Sequence, residues 1–153
     1  MANEPSLHIP YLYNYAGVPW KTQKRVRTLL DQWFRNDLMG LPGDEDGGGM
    51  SAFVVFSMMG FFPVTPGVPV YAIGSPFFDQ TTITLPSGKK FTVKAKNYSK
   101  ENKYIQSASL NGKKLDRSWF THDELMAGGV LELTMGDKPN KDWGKDNLPP
   151  SKI

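Results

Sequence analysis

The chain has 153 residues, a formal net charge of +3, enough apolar residues for a core and no cysteine. This length holds one ordinary domain or two small ones, and the lack of cysteine excludes disulfides and thiolate metal sites. The basic residues are scattered instead of forming a compact stripe interleaved with aromatic residues, which argues against nucleic-acid binding. The first residues lack the basic and apolar regions of a signal peptide, and no apolar run is long enough to span a membrane. Because the sequence begins abruptly, we expect a piece of a longer protein.

The first predicted element is a short aromatic helix. It runs from about Ser6 or Ile9 to Ala16, with its proline tolerated in the first turn. Gly17 follows and is typical of a helix C-terminus. His8 is interpreted as a packed or capping residue, because a lone histidine without a partner is weak evidence for ligand binding.

A longer amphipathic helix comes next. Its charged residues lie mostly on one side, and its apolar residues recur at steps of three and four: Val26, Leu29, Leu30, Trp33, Phe34 and Leu38. Thr22 is predicted to cap its beginning, and Gly40 with Pro42 to end it. The pattern indicates a scaffold helix that contributes its aromatic residues to the core.

An acidic and glycine-rich loop precedes a third predicted helix, residues 50–59. Asp44, Glu45 and Asp46 repel one another, and the three glycines that follow cost backbone entropy without adding apolar surface. The carboxylates lie just before the helix N-terminus, where free N–H groups and the helix dipole favour negative charge. Asp44 and Asp46 are two residues apart and can face one side of an extended turn, with Glu45 on the other. The loop therefore predicts a pair of fixed carboxylates at the lip of a pocket.

Two other interpretations of this loop were considered. An EF-hand is disfavoured, because Val55 occupies the position of its bidentate glutamate. A solvated acidic turn that only caps a buried helix remains an alternative. The helix itself is apolar nearly all round, which is typical of a helix surrounded by others. So short a chain has few helices to surround it, which is a second reason to expect a longer protein.

The second half of the chain consists of short β-prone runs separated by proline and glycine. The predicted strands are residues 70–73, 80–85, 90–95, 104–110, 113–115 and 130–135. The second and third strands should form one hairpin, and Asn111-Gly112 should turn another. This half is predicted to be an antiparallel sheet or sandwich.

A short helix and a tail complete the chain. Thr121 or Ser118 is predicted to cap a helix of one or two turns. His122 at its start is interpreted as structural and not catalytic, since such positions usually serve capping. From Asp137 onward, the lysine, proline, glycine and asparagine content predicts a weakly ordered tail with Trp143 as an anchor.

Eight segments carry a family resemblance: residues 3–6, 8–17, 19–23, 43–52, 60–67, 73–76, 104–107 and 118–122. Together they strongly resemble glycoside hydrolase family 92, the calcium-dependent exo-acting α-mannosidases. The resemblance runs from Asn3 to about Gly144 and covers only the C-terminal part of such an enzyme.

The resemblance implies an α+β fold class with three parts. Residues 1–68 would supply two or three helices from the end of an (α/α)6 barrel, together with the acidic loop. Residues 69–136 would form an antiparallel β-sheet or sandwich segment, and residues 137–153 a weakly ordered tail. On this interpretation, the rest of the barrel surrounds the apolar helix.

The resemblance also implies inverting hydrolysis of terminal α-linked mannose, with α-1,2 linkages expected. Such a reaction needs a carboxylic acid and a carboxylate base on opposite sides of the sugar. Asp46 matches the family's general base, and Asp44 the aspartate that assists it. Asn3 and Glu4 match the motif that binds mannose and calcium, with Asn3 as the expected calcium ligand; hard oxygen donors suit that ion. The expected partners are mannose-containing glycans and the remainder of the parent enzyme.

The general acid of the family aligns upstream of Asn3, so the chain alone is predicted to be inactive. Enzymes of this resemblance are typically periplasmic or secreted. Exposed barrel helices would favour a homodimer of the piece. The alternative function is a carbohydrate-binding or structural accessory module that presents Tyr71, Trp119 and Phe120, because aromatic platforms bind sugars.

Overall fold

The computed structural model describes residues 3–151, so Met1, Ala2, Lys152 and Ile153 lie outside the described part. Two 3₁₀ turns come first, Glu4–Ser6 and Ile9–Tyr11. The helices are α1 (Leu12–Tyr15), α2 (Pro19–Trp33), α3 (Gly49–Met59) and α4 (His122–Ala127). The strands are β1 (Phe61–Phe62), β2 (Val70–Ile73), β3 (Gln80–Thr84), β4 (Lys90–Lys96), β5 (Tyr104–Leu110), β6 (Lys113–Lys114), β7 (Trp119–Thr121) and β8 (Gly129–Gly136). The predicted α+β class is confirmed.

Helix α2 begins and ends earlier than the sequence pattern predicts. It begins at Pro19, whose fixed φ and missing N–H suit a first helical position, so Thr22 is a buried helical residue and not the cap. It ends at Trp33 because Phe34 is extended. The Asp37 carboxylate then accepts the Met39 N–H at 2.9 Å and closes a turn, as aspartate often does.

The first predicted helix is also broken up, into two 3₁₀ turns and the single turn of α1. Pro10 lies inside the second 3₁₀ turn, where its missing N–H is not needed. His8 precedes this turn, but its side chain makes no capping hydrogen bond.

The strands form two sheets. One has the order β1-β2-β7 and is antiparallel; the other has the order β3-β4-β8-β5-β6. Both predicted hairpins are confirmed, β3 with β4 and β5 with β6. The turn residues Asn111 and Gly112 have φ of 51° and 76°, the left-handed values that a two-residue hairpin requires.

The prediction of a wholly antiparallel sheet is wrong for one pair of strands. β8 runs parallel to β4 and antiparallel to β5, so it is inserted between two strands that precede it in the chain. A parallel pair needs a long crossover connection. The segment between β4 and β8 contains β5, β6, β7 and α4 and provides that length.

Three buried polar side chains join the helices to the strands. Asn14 Nδ2 donates to the carbonyls of Ile73 and Ser118 at 2.9 and 2.8 Å. Gln23 Oε1 accepts the N–H of Ile105 at 3.0 Å, beside a β-bulge where the β5–β8 register shifts. Because each bond satisfies backbone groups that would otherwise be buried without a partner, the helices and strands pack in one fixed arrangement.

Arg27 is the third of these residues and is 2% exposed. Its Nη1 donates to the Pro76 carbonyl at 2.7 Å. Its guanidinium carbon lies 4.9 Å from the ring centre of Phe77 and 5.6 Å from that of Tyr98. Helix α2 is thereby held against the loop that precedes β3 and the loop that follows β4.

Trp143 is the anchor of the last segment of the chain, as the sequence predicts. Trp143 is 6% exposed, and its indole N–H donates to the Leu115 carbonyl at 2.9 Å. Between residue 137 and residue 151, the last one described, the only strand-like feature is the bridge between Asn147 and Arg117. The predicted division into residues 1–68, 69–136 and 137–153 stays a prediction.

Helix α4 is capped by Thr121, which decides between the two predicted caps. The Thr121 hydroxyl accepts the Glu124 N–H at 3.2 Å, and a Glu124 carboxylate oxygen accepts the Thr121 N–H at 2.8 Å. This reciprocal arrangement is a capping box. His122 Nδ1 lies 2.9 Å from the Tyr71 hydroxyl.

Candidate active site

The glycines of the acidic loop are explained by its backbone. Asp46, Gly47 and Gly48 have successive φ values of 41°, 66° and 91°, and α3 begins at the next residue. Glycine adopts left-handed conformations without steric cost, and aspartate is one of the few other residues that tolerate them. The three residues therefore form a tight left-handed turn that holds the Asp46 side chain beside the beginning of α3.

Glu45 serves a structural role that separates it from its two neighbours. Its carboxylate oxygens accept the Ser51 N–H at 3.2 and 3.1 Å, in the first turn of α3. A negative charge at this position also complements the helix dipole. Glu45 is thus the helix cap that the alternative interpretation assigned to the whole loop.

Asp44 and Asp46 remain exposed. Within residues 3–151, neither side chain makes a hydrogen bond to the backbone of the fold. Their carboxylates are consequently not used for capping and remain available to a ligand.

Glu4 comes to this loop from the first 3₁₀ turn. Asn3 Oδ1 caps that turn by accepting the Glu4 N–H at 2.8 Å. A Cβ atom on Gly49 would lie only 2.9 Å from Glu4 Cγ, so the missing side chain lets Glu4 approach the beginning of α3 closely. Among the described residues, Glu4 Oε1 is buried and finds no hydrogen-bond partner.

Glu4, Asp44 and Asp46, here called the acidic cluster, interact electrostatically. Its own backbone N–H lowers the pKa of Glu4, whereas desolvation, the neighbouring Asp46 carboxyl and the charge of Asp44 raise it. The net effect is a raised pKa. Neighbouring negative charges disfavour the ionised form of a carboxyl group.

The fold brings Glu4 to the beginning of α3, next to the loop that contains Asp44 and Asp46, and the roles of these residues stay predictions. Asn3 is adjacent through its bond to the Glu4 backbone. The sequence pattern did not predict the contact between Gly49 and Glu4. The run of glycines was the available signal for such a close approach.

The oxygen donors of this cluster are of the kind that calcium prefers. Glu4 Oε1 has no partner, and the Asn3 amide oxygen keeps a second lone pair after accepting the Glu4 N–H. Among residues 3–151, however, no three histidine or acidic side chains are grouped closely enough to hold a metal ion. These residues fit a calcium site as part of a coordination sphere.

Replacing Glu4 with glutamine is expected to raise the urea midpoint of the chain at pH 7 and to leave it unchanged at pH 3.5. A carboxyl with a pKa above its ordinary value of 4.5 contributes its stability below that value and loses it as the pH rises through the folded pKa. Glutamine removes this loss. Urea unfolding in the presence of a chelator at both pH values measures the effect.

Glu101→Gln is the matched control, because the shift at Glu101 has the opposite sign. Its own backbone N–H and then the Ser99 hydroxyl lower the pKa of Glu101, so its contribution is present at neutral pH and lost in acid. Glu101→Gln should lower the midpoint at pH 7. A lower midpoint at pH 7 for Glu4→Gln would contradict the arrangement of the cluster.

The aromatic residues of the alternative function do not form an open platform. Phe120 is fully buried, so its proposed sugar contact is wrong. Tyr71 stacks on Phe120 at a centroid distance of 5.3 Å. Trp119 donates its indole N–H to the Asn147 carbonyl at 3.1 Å, and the Arg117 guanidinium covers its ring at 4.4 Å.

In the described range 3–151, each helix is too short or too polar to cross a membrane.

The sequence matches a known family and a curated relative. Residues 1–137 match the profile described as the glycosyl hydrolase family 92 catalytic domain. A curated relative from Arthroderma benhamiae, named an uncharacterized secreted glycosidase, is 44% identical over 156 aligned residues. The alignment covers 99% of this chain and 20% of that protein.

Two solved structures from Bacteroides thetaiotaomicron are similar. A family 92 α-mannosidase in complex with mannoimidazole has a TM-score of 0.94 and 40% identity, and the match covers 98% of this chain and 20% of that one. A family 92 inverting mannosidase has a TM-score of 0.91 and 47% identity, with 96% of this chain and 20% of that one covered. The chain thus spans about a fifth of the length of these relatives.

Proposed function

Because the chain belongs to glycosyl hydrolase family 92, we propose that it is the C-terminal part of a calcium-dependent inverting exo-α-mannosidase that removes terminal α-1,2-linked mannose. The observation that carries this proposal is the cluster of Glu4, Asp46 and Asp44, assembled from two distant segments. The similarity to an inverting mannosidase supports the reaction class.

In the proposed reaction, Asp46 is the general base. Its carboxylate is exposed and is held by the left-handed turn, so it can accept a proton from a water that attacks the sugar. Asp44 lies in the same cluster and assists it. Asn3 and Glu4 bind the mannose, and Asn3 is the residue that would hold calcium. When bound, calcium would hold two ring hydroxyls and promote distortion of the sugar.

The general acid is proposed to lie in the remainder of the parent enzyme, which the similar proteins contain in addition to this fifth. Mannose-containing glycans are the proposed substrates. Secretion or a periplasmic location is proposed by analogy with the relative named a secreted glycosidase.

The chain alone is expected to show no α-mannosidase turnover, because a base without an acid cannot protonate the leaving oxygen. The full-length protein is expected to release β-mannose first from α-1,2-mannobiose, and a chelator should abolish the release. Proton NMR of the anomeric signals checks both results. Turnover by residues 1–153 alone, or first release of α-mannose, would overturn the proposal.

The outer face of α3 is proposed to contact the remainder of the enzyme. Large apolar side chains are exposed on this face, at the end of α2 and in the segment between the two helices: Val55 at 56%, Trp33 at 56%, Leu38 at 105%, Met39 at 79% and Leu41 at 41%. A largely apolar cleft of about 350 Å³ lies among them, lined in part by Phe34, Val54 and Met58. Exposed apolar patches of this kind mark interaction sites.

Without the remainder, this face is expected to pair with a second copy of the chain. Val55→Glu should then shift the chain from dimer to monomer, because it places a charge in the paired apolar face. Sedimentation velocity at several concentrations measures the change. Val130→Glu is the matched control on β8, where the side chain is 38% exposed. A wild-type chain that is monomeric at all concentrations would exclude the dimer.

A further inference from the structure

A second concave surface lies on the charged side of α2. It is a cleft of about 410 Å³ lined by Tyr13, Trp20, Lys21, Lys24, Arg25 and Thr28. Clefts of this size hold small ligands. Its lining contains three cations, two aromatic rings and no carboxylate, and it shares no residue with the acidic cluster.

The tertiary structure builds this cleft from α1 and α2, with a third segment of the chain beside it. Lys21, Lys24 and Arg25 are spaced by three and four residues and therefore share one face of α2. Tyr13 comes from α1, on the other side of a left-handed turn at Gly17. Lys141, from the segment after β8, adds a fourth cation beside Trp20.

Two lysine ammonium groups lie close to the aromatic rings of the cleft. Lys21 Nζ lies 5.4 Å from the ring centre of Trp20 and 5.8 Å from that of Tyr13. Lys141, from the segment after β8, places its Nζ 5.9 Å from the ring centre of Trp20. Cations and rings at these distances attract each other and hold the ammonium groups over the aromatic surface.

In the part of the chain that the structure describes, Lys21, Lys24, Arg25 and Lys141 form no ion pair. Within residues 3–151, the five ion pairs involve other lysines and arginines: Arg35, Lys96, Lys114, Arg117 and Lys145. Like charges on one helix face repel one another. An anion bound in the cleft would offset this repulsion, and a concave surface lined by one sign of charge concentrates such anions.

We propose that this cleft binds an anionic saccharide, a sugar that carries a sulfate or phosphate ester. The Arg25 guanidinium matches an oxyanion with parallel N–H donors, and Lys24 and Lys21 add ammonium donors. The Trp20 ring offers an apolar surface to the face of the sugar. The site is separate from the proposed catalytic cluster; only mannose as the probe sugar rests on the proposed function.

The test titrates the chain with mannose 6-sulfate and follows the indole N–H signals of its four tryptophans by NMR. Trp20→Phe identifies the signal of Trp20. We expect a saturable shift of that signal, with binding at least 10-fold weaker for mannose, which lacks the anion, and for free sulfate, which lacks the sugar. Lys24→Gln with Arg25→Gln should weaken binding of mannose 6-sulfate at least 10-fold.

Lys89→Gln with Lys94→Gln removes two exposed cations elsewhere and should leave the affinity unchanged, which controls for net charge. Glu4→Gln should also bind normally, so failure of this proposal is distinguishable from failure of the proposed catalysis. If the Trp20 signal shows no saturable shift, or if the control pair loses as much affinity for mannose 6-sulfate as the Lys24 and Arg25 pair does, the proposed site is wrong. Equal affinity for free sulfate would overturn the saccharide as its ligand.

Discussion

Replacing Asp46 with asparagine is expected to lower the kcat of the full-length protein by about 10²- to 10⁴-fold, the usual contribution of a general base. The fold should be unaffected, because the Asp46 side chain is exposed and asparagine tolerates its φ of 41° at least as well as aspartate does. Asparagine keeps the shape of the side chain but cannot accept the proton. Steady-state kinetics with α-1,2-mannobiose, together with thermal unfolding, measures both properties.

Glu45→Gln is the matched control, one residue away. Its carboxylate binds the Ser51 N–H at the beginning of α3. We therefore expect a small loss of stability, about 0.5–1 kcal/mol, with kcat changed less than twofold. If Glu45→Gln lowers kcat as much as Asp46→Asn does, the assignment of separate roles to these neighbours is wrong.

Replacing Asn14 with aspartate is expected to destabilise the chain by at least about 3 kcal/mol at pH 7. Asn14 is fully buried, and its Nδ2 donates to the carbonyls of Ile73 and Ser118. A carboxylate would lose both donors and would face two carbonyl oxygens. Burial without a donor also raises the pKa of the introduced carboxyl above its usual value of about 3.9.

The sign of the pH dependence follows from that raised pKa. The free energy of unfolding of the variant should fall least near pH 3.5, where the carboxyl is protonated in both the folded and the unfolded state. It should fall further as the pH rises through the folded pKa. Urea unfolding at pH 3.5 and 7 measures the difference from the wild type. Asn36→Asp is the control, since Asn36 is exposed. An equal loss at both pH values for Asn14→Asp would contradict the buried contact with the two carbonyls.

The site could be predicted only in part. The order of acidic residues and glycines indicated a functional loop, and the family resemblance assigned roles to Asp44 and Asp46. The local pattern placed Glu45 on the other side of the loop from Asp44 and Asp46, but it did not indicate that Glu45 would bind the first turn of α3, because all three carboxylates precede the same N-terminus. That distinction depends on the left-handed turn at Asp46, which directs neighbouring side chains apart.

Where a structure depends on neighbouring residues, the sequence was sufficient by itself. It predicted α3 to within one residue, both hairpins and the cap at Thr121 as one of two choices, because helix caps and tight turns form hydrogen bonds over a few residues. It was insufficient for the end of α2, where Phe34 is extended and packs against Phe53 of α3, a contact between separate segments.

Only the tertiary structure decided which distant residues meet. It inserts β8 between β4 and β5, and it brings Glu4 to Asp46 across the beginning of α3. Such contacts depend on strand register and on packing between segments, which no local preference encodes. The chemistry of the acidic loop was therefore visible in the sequence, but its partner Glu4 was placed by the fold.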